Sequence, residues 1–254
     1  MKILITGGSS GIGKDMAKIL AKKENEIIIV ARDENKLNET KKELEKAGAN
    51  VTCIVSDLSK EESCIEIHKK VQNVDILINN AGFGDCGNFE KTNLEKEINM
   101  IKTNIIAYHI LTKLYLIDMK KKNSGKILNV ASIAGFMPGP LMATYYATKS
   151  YVVRLSEAIR EELKKEKSKV QISILCPGPV ETNFNKVANV KFKIREAKSI
   201  DVAKYAIKNL EKGKFYIVPG LDVKLAKMGA KIFPTKLVGK VAYMVQKRKL
   251  GGEN

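Results

Sequence analysis

The sequence lacks several features that would assign it to other classes of protein. No apolar run in its 254 residues approaches the ~20 residues that a membrane-spanning helix requires. The apolar start at residues 1–5 is too short for a secretion signal. The four cysteines show no C-x-x-C spacing, which is typical of reduced thiols rather than of a disulfide framework or a zinc site. We therefore predict a cytoplasmic protein without a metal site.

Signs of a domain boundary are also missing. The sequence contains no internal repeat, no low-complexity segment and no linker rich in proline and glycine. A chain of this length with 44% hydrophobic residues can bury one sizeable core. We predict a single domain over residues 1–220, followed by an extension at residues 221–254 that is helical and interrupted at Pro234.

Acidic residues are scarce relative to basic ones, 28 against 45, which gives a formal net charge of +17. Such a charge could attract a polyanion such as nucleic acid or anionic lipid. The lysines are spread along the whole chain beside glutamates, which favours solvated helix surfaces, and no element that would read a nucleic-acid groove is evident. We predict no specific nucleic-acid partner, although the excess charge favours anionic ligands such as a nucleotide phosphate.

Short apolar runs alternate with longer amphipathic stretches along the chain. Runs rich in isoleucine and valine predict strands at residues 2–6, 26–31, 50–56, 74–79, 126–131, 170–176 and 215–218. Apolar residues at helical spacing predict helices at residues 12–23, 34–47, 60–71, 90–122, 143–167 and 200–210. This alternation is typical of a parallel sheet covered on both faces. We predict an α/β fold with a doubly wound, seven-stranded sheet of Rossmann type and extra C-terminal helices.

A glycine-rich turn follows the first predicted strand and precedes the first helix. Its sequence is Thr6-Gly7-Gly8-Ser9-Ser10-Gly11-Ile12-Gly13. Glycines let the backbone turn tightly and let a pyrophosphate approach closely, while the helix N-terminus offers free N–H donors. Glycine also serves ordinary tight turns, but this position between a strand and a helix favours dinucleotide binding.

The end of the second predicted strand bears on the choice of cofactor. Rossmann sites for NAD place an acidic residue about 20 positions after the glycine-rich turn, where it binds the adenosine ribose. Here that strand ends in Ala31 and Arg32, followed by Asp33. Arginine can hold a phosphate through several donors, so we predict NADP(H) rather than NAD(H). Alternatively, Arg32 is a solvated surface residue and Asp33 caps the next helix, and an Asp33 aimed at the ribose would weaken the preference.

Polar residues also end the third and fourth predicted strands. Asp57 and Leu58 follow the third strand, where an adenine edge would lie, although Asp57 is equally suited to a cap or a turn. The fourth strand ends in Asn79-Asn80-Ala81-Gly82. Buried asparagines need hydrogen-bond partners, and small residues leave room for a cofactor.

Three later residues carry the strongest chemical signal. Ser132 follows the fifth predicted strand, Tyr145 lies 13 residues on, and Lys149 lies four beyond that. On a helix Tyr145 and Lys149 share one face. A tyrosine has an ordinary pKa of about 10, and a neighbouring ammonium would lower that pKa and let the phenol exchange a proton near neutral pH. Ser132 can orient a substrate oxygen by a hydrogen bond.

The two histidines fall outside this pattern. Neither His68 nor His109 has an acidic partner at useful spacing in the sequence, so both are interpreted as ordinary helix residues.

Over residues 1 to about 220 the sequence resembles the short-chain dehydrogenase/reductase family. The residues that carry the resemblance are Thr6, Gly7, Gly11, Gly13, Asn79, Asn80, Ala81, Gly82, Asn104, Ser132, Tyr145, Lys149, Pro177, Gly178 and Thr182. The resemblance implies that Tyr145 is the catalytic acid/base, that Ser132 donates to the carbonyl oxygen and that Lys149 also binds the nicotinamide ribose. It further implies that Asn104 anchors a water that relays protons to Lys149.

The resemblance also implies a cofactor groove and an assembly. The groove residues would be Ile5, Gly7, Ser9, Ser10, Gly11, Ile12, Gly13, Ala31, Arg32, Asp57, Leu58, Asn80, Ala81, Gly82, Tyr145, Lys149, Pro177, Gly178, Val180 and Thr182. Family members suggest a homodimer or homotetramer built on the long helices at residues 90–122 and 143–167. The extension is similar to that of family members with added C-terminal helices.

The resulting functional prediction is an NADPH-dependent reductase of a ketone or aldehyde. Residues 183–199 would form a substrate lid, whose Lys186, Lys191, Lys193, Arg195 and Lys198 suit an anionic substrate such as a 3-oxoacyl thioester or are simply solvated. The alternatives are a hydroxysteroid or bulky-alcohol dehydrogenase and an NADP-sensing protein without turnover. The basic, apolar extension could contact an anionic membrane, form a wall of the substrate pocket, or serve as a packing helix or subunit contact.

Overall fold

The computed structural model describes residues 1–188 and 196–247. The strands are β1 (Lys2–Thr6), β2 (Glu26–Ala31), β3 (Asn50–Val55), β4 (Ile76–Asn79), β5 (Lys126–Val130), β6 (Gln171–Leu175), β7 (Val180–Glu181), β8 (Ala197–Lys198) and β9 (Tyr216–Ile217). The α-helices are α1 (Gly11–Leu20), α2 (Glu34–Lys46), α3 (Glu61–Lys70), α4 (Leu94–Ile101), α5 (Ala107–Lys122), α6 (Ala143–Lys165), α7 (Phe184–Val187), α8 (Ser199–Glu211), α9 (Leu221–Ile232) and α10 (Thr235–Lys247).

Seven strands form one parallel sheet in the order β3-β2-β1-β4-β5-β6-β9. The chain leaves β1 toward one edge, through β2 and β3, and returns to β4 on the other side of β1. This reversal opens a crevice at the carboxyl ends of β1 and β4, which is where open α/β sheets bind ligands. The predicted fold class, including the extra C-terminal helices, is confirmed.

The two faces of the sheet bury separate halves of the core. In β1, Ile3 and Ile5 pack on one face with α1, α2 and α8, while Leu4 packs on the other face with α3, α5 and α6. The alternation follows because successive side chains of a strand point to opposite faces. All three side chains are fully buried, and each such burial stabilises the fold by roughly 1.5–3 kcal/mol. The sheet that carries the crevice is therefore rigid on both sides.

Besides shifts of a few residues at element ends and the unpredicted short helix α7, the structure departs from the predicted elements in three places. The helix predicted at residues 90–122 begins at Leu94, because the Asn93 side chain accepts a hydrogen bond from the Lys96 backbone N–H at 2.8 Å and caps it there. That helix also contains a π-helical turn at Lys102–Ile106 between α4 and α5. The short pair β7–β8 was not predicted, because two-residue strands leave no periodic signal.

The extension forms two helices, α9 and α10, which are separated at Pro234 as predicted. Within the residues described, none of the helices combines the length and apolar character needed to cross a membrane. Of the lid predicted at residues 183–199, only residues 183–188 and 196–199 are described. Lys191, Lys193 and Arg195 lie outside the described residues.

Candidate active site

A single cavity of about 440 Å³ occupies the crevice at the carboxyl ends of the parallel strands, within the range typical of small-molecule sites. It begins at the glycine-rich turn after β1 and ends beside α6 and α7. Most residues predicted for the cofactor and the chemistry line it: Gly7, Ser9, Ser10, Gly11, Ile12, Ala31, Arg32, Asp57, Leu58, Asn80, Ala81, Gly82, Ser132, Tyr145, Lys149, Pro177, Gly178, Val180 and Thr182. Residues from distant parts of the sequence are thus brought to one place.

Three of the predicted residues do not line the cavity but lie behind the residues that do. Ile5 is fully buried in the core, and Asn104 is equally buried in the π-helical turn. At Gly13 an added Cβ would stand 2.4 Å from the Asn80 Nδ2 and 2.4 Å from the Gly7 carbonyl oxygen. Gly13 therefore permits close packing of α1 on the turn, which is a supporting role.

The glycine-rich turn has the backbone shape of an anion cradle. Gly7 and Gly11 have φ values of +65° and +51°, which favour glycine because a Cβ is strained there. Ser10 precedes α1 in an extended conformation, and its side chain makes no capping hydrogen bond. The first N–H groups of α1 are therefore available to an anion at the positive end of the helix.

The turn is locked to the end of β4 by hydrogen bonds. Thr6 Oγ1 accepts from the backbone N–H groups of Asn80 at 2.9 Å and Ala81 at 3.1 Å. The Asn80 side chain donates to the carbonyl oxygens of Thr6 at 3.1 Å and Gly7 at 3.2 Å. Asn79, fully buried, donates to Thr112 and Asn129 at 3.0 Å each. Both asparagines thus find hydrogen-bond partners as predicted, although Asn80 is only half-buried and the buried Asn79 Oδ1 has no partner among the described residues.

We expect Gly13→Ala to destabilise the protein, because the new methyl group would collide with Asn80 and with the backbone of Gly7. The free energy of unfolding should fall by roughly 1–3 kcal/mol, the usual range for overpacking, as measured by urea denaturation. Gly229→Ala is the matched control: its Cβ would meet Phe233 at an ordinary 3.7 Å, and alanine favours the helix by up to ~1 kcal/mol. Equal stabilities for the two variants would contradict this account of Gly13.

Two cationic side chains and one carboxylate line the cavity where the chain passes from β2 to α2. Arg32, Asp33 and Lys36 all line it. Asp33 caps α2 by accepting from the Lys36 backbone N–H at 3.1 Å and pairs with the Lys36 ammonium at 2.8 Å. The hydrogen bond to Lys36 lowers the pKa of Asp33. Asp33 is thus the helix cap that the sequence left as an alternative, and its charge is offset locally.

Asp57, just after β3, likewise makes local hydrogen bonds and also lines the cavity. Its carboxylate accepts from the Ser59 backbone N–H at 3.1 Å and from the Ser59 hydroxyl at 2.9 Å, which is the turn role. Asp57 also lines the cavity beside Leu58. The turn role of Asp57 is therefore shown, and its contact with an adenine stays a prediction.

Ser132, Tyr145 and Lys149 converge at the far end of the cavity. Tyr145 and Lys149 stand one turn apart on α6, with the Lys149 Nζ 5.9 Å from the centre of the Tyr145 ring. The Ser132 hydroxyl is hydrogen-bonded to Tyr145 and accepts from the Ala134 backbone N–H at 3.2 Å. The Lys149 ammonium donates to the Val130 carbonyl oxygen at 2.9 Å. A hydroxyl, a phenol and an ammonium thus share one small volume.

Burial is the main cause of the pKa shifts of Tyr145 and Lys149. It raises the pKa of Tyr145 above its ordinary value, and the hydrogen bond with Ser132 acts in the opposite direction. Burial also lowers the pKa of Lys149 to about 8. The predicted lowering of the Tyr145 pKa is therefore wrong for the folded chain, because desolvation of the phenolate outweighs an ammonium that does not contact the phenol oxygen.

Asn104 connects the loop after β4 to α6. Its Oδ1 accepts from the Phe83 backbone N–H at 3.1 Å, and its Nδ2 donates to the Phe83 carbonyl oxygen at 2.9 Å. Nδ2 also donates to Thr148 Oγ1 at 3.1 Å, directly before Lys149. The π-helical turn that holds Asn104 was not predicted, and such turns are frequent at functional sites.

Further residues that the sequence did not single out also line the cavity. They include Lys36, the polar residues Thr103, Asn183 and Asn185, and the apolar group Phe83, Met142, Tyr146, Phe184 and Val187. The Phe184 ring centre lies 5.2 Å from that of Tyr145. The five apolar side chains come from three segments that are far apart in the sequence, and only Phe184 and Val187 fall in the predicted lid, so the assembled fold is needed to bring them together.

His68 has an acidic partner that its sequence spacing did not indicate. The His68 Nε2 lies 2.7 Å from Asp118 Oδ2, because α3 and α5 pack side by side and 50 residues of sequence separate the pair. His109 contacts the Tyr151 hydroxyl at 2.7 Å. Neither histidine lines the cavity, so both remain outside the site.

Comparison with known proteins identifies the class to which this fold and site belong. The family model described as short chain dehydrogenase matches residues 1–191. Ketoacyl reductase HetN of Nostoc sp. is 32% identical over 182 residues, which cover 70% of this chain and 63% of that protein. The 3-dehydrosphinganine reductase of Danio rerio is 33% identical over 231 residues, which cover 84% of this chain and 69% of that protein.

Solved structures share the same architecture. A short-chain dehydrogenase from Sphingobium yanoikuyae in complex with NADPH superposes with a TM-score of 0.81 at 25% identity, over 91% of this chain and 94% of that one. A family member from Burkholderia phymatum in complex with NAD gives a TM-score of 0.82 at 23% identity, over 89% and 91%. The chain belongs to the short-chain dehydrogenase/reductase family, as its sequence suggested. It is an oxidoreductase of the class that acts on alcohol and carbonyl groups.

Proposed function

We propose that this protein is an NADPH-dependent reductase that converts a ketone or aldehyde to an alcohol. The observation that carries the proposal is the convergence of Ser132, Tyr145 and Lys149 in the cavity that starts at the N-terminus of α1. One end of that cavity suits a phosphate and the other holds proton donors. A dinucleotide that spans the two ends would bring its nicotinamide to the proton donors.

The residues present fit such a cofactor. Gly7 and Gly11 have positive φ values that favour glycine, so no side chain enters the cradle at these positions. A Cβ added at Gly11 would lie only 3.1 Å from the Thr182 side chain. We propose that Gly7, Ser9, Ser10, Gly11 and Ile12 surround the pyrophosphate. The adenosine would then lie against Asp57 and Leu58, and the nicotinamide against residues 177–182 and Lys149.

The NADP preference is inferred from the charges at the end of β2. The extra phosphate of NADP would meet Arg32 and Lys36, while Asp33 is held by α2 and by its ion pair with Lys36. Arginine binds phosphate through a planar set of donors, and lysine adds a point charge. An NAD site would instead need a carboxylate free to accept from the ribose.

We expect the double variant Arg32→Ala/Lys36→Ala to weaken NADPH use by at least about 100-fold, since each of the two charged hydrogen bonds contributes roughly 1.5–3 kcal/mol. The loss should appear as a higher KM for NADPH with little change for NADH. Lys42→Ala, on the same helix but outside the cavity, is the matched control. An equal loss with both cofactors, or no loss, would contradict the role given to this pair.

The side chains of this protein perform one chemical step, the transfer of a proton to the carbonyl oxygen of the substrate. NADPH, when bound, supplies the hydride that reaches the carbonyl carbon. Ser132 donates a hydrogen bond to the substrate oxygen and Tyr145 gives it the phenolic proton, which the raised pKa of Tyr145 keeps in place until it is needed. Lys149 stabilises the resulting phenolate. Asn104 acts as a positioning residue, because it fixes Phe83 and Thr148 on either side.

The substrate end of the cavity favours an apolar group next to the carbonyl. Five apolar side chains, Phe83, Met142, Tyr146, Phe184 and Val187, line the cavity together with the polar Thr103, Asn183 and Asn185, and Tyr146 and Phe184 contact the Tyr145 ring. A 3-oxoacyl or other long-chain oxo substrate fits this wall, and two relatives of the chain are a ketoacyl reductase and a 3-dehydrosphinganine reductase. A bulky-alcohol or hydroxysteroid substrate is the second candidate, favoured by the same aromatic lining. The complete set of Ser132, Tyr145 and Lys149 favours turnover over a sensing role.

The proposal is tested by following NADPH oxidation with 3-oxoacyl thioesters, long-chain ketones, steroids and small aldehydes. We expect turnover with at least one apolar oxo compound and a preference for NADPH over NADH. Tight NADPH binding without turnover across the whole panel would favour the sensing alternative. Absence of binding to either cofactor by a folded protein would refute the proposal.

The assembly and location of the protein are separate proposals. We propose a cytoplasmic homodimer or homotetramer built on the helices at residues 90–122 and 143–167. Exposed apolar side chains on α4, namely Leu94 and Ile98, support a subunit contact there, since such patches mark interaction sites. Light scattering of the purified chain would measure the oligomeric state.

A further inference from the structure

The two C-terminal helices expose an unusual amount of apolar surface. Of seventeen large apolar side chains that are exposed in the described part of the chain, nine lie between Leu221 and Met244. On α9 they form one stripe, Leu221, Leu225, Met228 and Ile232, spaced four, three and four residues apart, with 53–77% of each exposed. This spacing places all four on a single helix face.

The second helix repeats the pattern. Leu237, Val241 and Met244 follow the same four-and-three spacing on α10 and are exposed by about half. Phe233, in the turn between the helices, is exposed as well. The two stripes are thus joined by a third apolar contact point.

The outward orientation of these stripes is fixed by contacts on the opposite faces. On α9, Val223 packs against Gly178, and the Lys227 ammonium lies 3.1 Å from the centre of the Tyr216 ring. On α10, Ala242 and Gln246 are buried, and Gln246 donates a hydrogen bond to the Tyr146 hydroxyl. A lysine therefore packs inward while leucine, methionine and isoleucine face outward, so the body of the protein does not use the apolar stripes.

The charges around the stripes identify the partner. Within residues 221–247 the sequence has six lysines and one acid, Asp222. Five of these lysines are exposed: Lys224, Lys231, Lys236, Lys240 and Lys247. Helical spacing puts Lys224 and Lys231 beside the α9 stripe, and Lys240 and Lys247 beside the α10 stripe. A second copy of this face would oppose lysine to lysine, whereas an anionic lipid surface attracts each of them.

We propose that α9 and α10 dock this protein on an anionic lipid surface. The apolar stripes enter the boundary between headgroups and acyl chains, and the flanking lysines reach the lipid phosphates, as in amphipathic helices that lie in the plane of a membrane. The docking face adjoins the cavity, because Val223 contacts Gly178 and Gln246 contacts Tyr146, and both partners line it. This inference does not depend on the proposed reaction.

Flotation with vesicles tests the proposal on the full chain. Vesicles of phosphatidylcholine alone are compared with vesicles that contain about 30% phosphatidylserine, a strongly anionic surface. The variant Leu225→Gln/Met228→Gln/Ile232→Gln removes the centre of the α9 stripe. The matched control, Val55→Gln/Ile65→Gln/Phe89→Gln, removes three exposed apolar side chains that lie outside α9, α10 and the helices proposed for the subunit contact. Circular dichroism and light scattering on both variants report folding and oligomeric state.

We expect binding to the anionic vesicles only, weakened about tenfold or more in the α9 variant, unchanged in the control, and reduced by added salt. Lys231→Glu/Lys236→Glu/Lys240→Glu, which leaves the stripes intact, should also lose binding. No binding by the wild-type chain, or equal binding by all variants, would overturn the proposal. A change from a larger to a smaller oligomer in the α9 variant, without vesicle binding by the wild type, would make the stripes a subunit contact.

Discussion

The Tyr145→Phe variant is expected to lose about 1,000-fold in kcat for carbonyl reduction while binding NADPH nearly as well as the wild type. Phenylalanine keeps the ring beside Phe184 but removes the proton that Tyr145 would give to the substrate oxygen. General acid catalysis typically contributes 10²–10⁴-fold. The measurement is steady-state NADPH oxidation at saturating cofactor, with cofactor binding followed by fluorescence titration.

Tyr151→Phe is the matched control for that experiment. Tyr151 lies on the same helix, α6, but hydrogen-bonds to His109 outside the cavity. We expect its kcat to stay within a few-fold of the wild type. Activity within tenfold of wild type in Tyr145→Phe would remove Tyr145 from the mechanism.

The second large effect concerns Lys149, whose ammonium is buried at a cost to stability. Its pKa in the folded chain, about 8, lies below the ordinary 10.5, so the unfolded chain binds more protons between these values. Stability should therefore rise as the pH increases from about 8 to 10.5, and below pH 8 the full cost, on the order of 3 kcal/mol, is present. Removal of the charge relieves this cost.

We expect Lys149→Met to reduce kcat/KM by at least about 100-fold, the lower range for a residue in the acid/base group. Its free energy of unfolding at about pH 7 should be equal to or above that of the wild type. Urea denaturation at about pH 7 and pH 9.5 should show a smaller pH dependence for the variant. Lys164→Met, an exposed lysine of the same helix, should change neither. A strongly destabilised Lys149→Met with normal activity would contradict this account.

The cost of burying Lys149 and the raised pKa of Tyr145 share one cause, the burial of both groups at the end of the cavity. Sequence spacing places the two side chains on one helix face, and from that alone a lysine is expected to lower the tyrosine pKa. The folded chain desolvates both groups, and the Lys149 ammonium donates to Val130 rather than to the phenol. Desolvation cannot be inferred from spacing, so the direction of this pKa shift was the part of the site that sequence could not supply.

The fold was predictable because its signals are local. Each parallel strand is a short run rich in isoleucine or valine, and the glycine-rich turn stands between a strand and a helix, so the order of elements follows from neighbouring residues. The start of α4 and its π-helical turn were missed, because the first depends on a cap at Asn93 and the second interrupts no apolar pattern. A helix start that depends on one capping hydrogen bond, or a single π-helical turn, does not change the spacing of apolar residues and cannot be predicted from that spacing.

The catalytic residues were predictable for the same reason, and the substrate wall was not. Tyr145 and Lys149 lie four residues apart, whereas Gln246 reaches Tyr146 across 100 residues of sequence. Phe83 and Phe184 likewise meet near Tyr145 only after the sheet has formed. Side chains brought together by tertiary packing determine substrate size and the position of the C-terminal helices, and these require the structure.

The measurement that tests the central claim most directly is the position of a deuterium label. Reduction of an active ketone, in ordinary water, with NADPH in which both hydrogens of the hydride-donating carbon are deuterium should give an alcohol with one deuterium on the carbinol carbon and an unlabelled hydroxyl. The Tyr145→Phe variant should form this product about 1,000-fold more slowly. A label elsewhere in the product, or product formation without transfer of the label, would contradict hydride transfer to a carbonyl in this site.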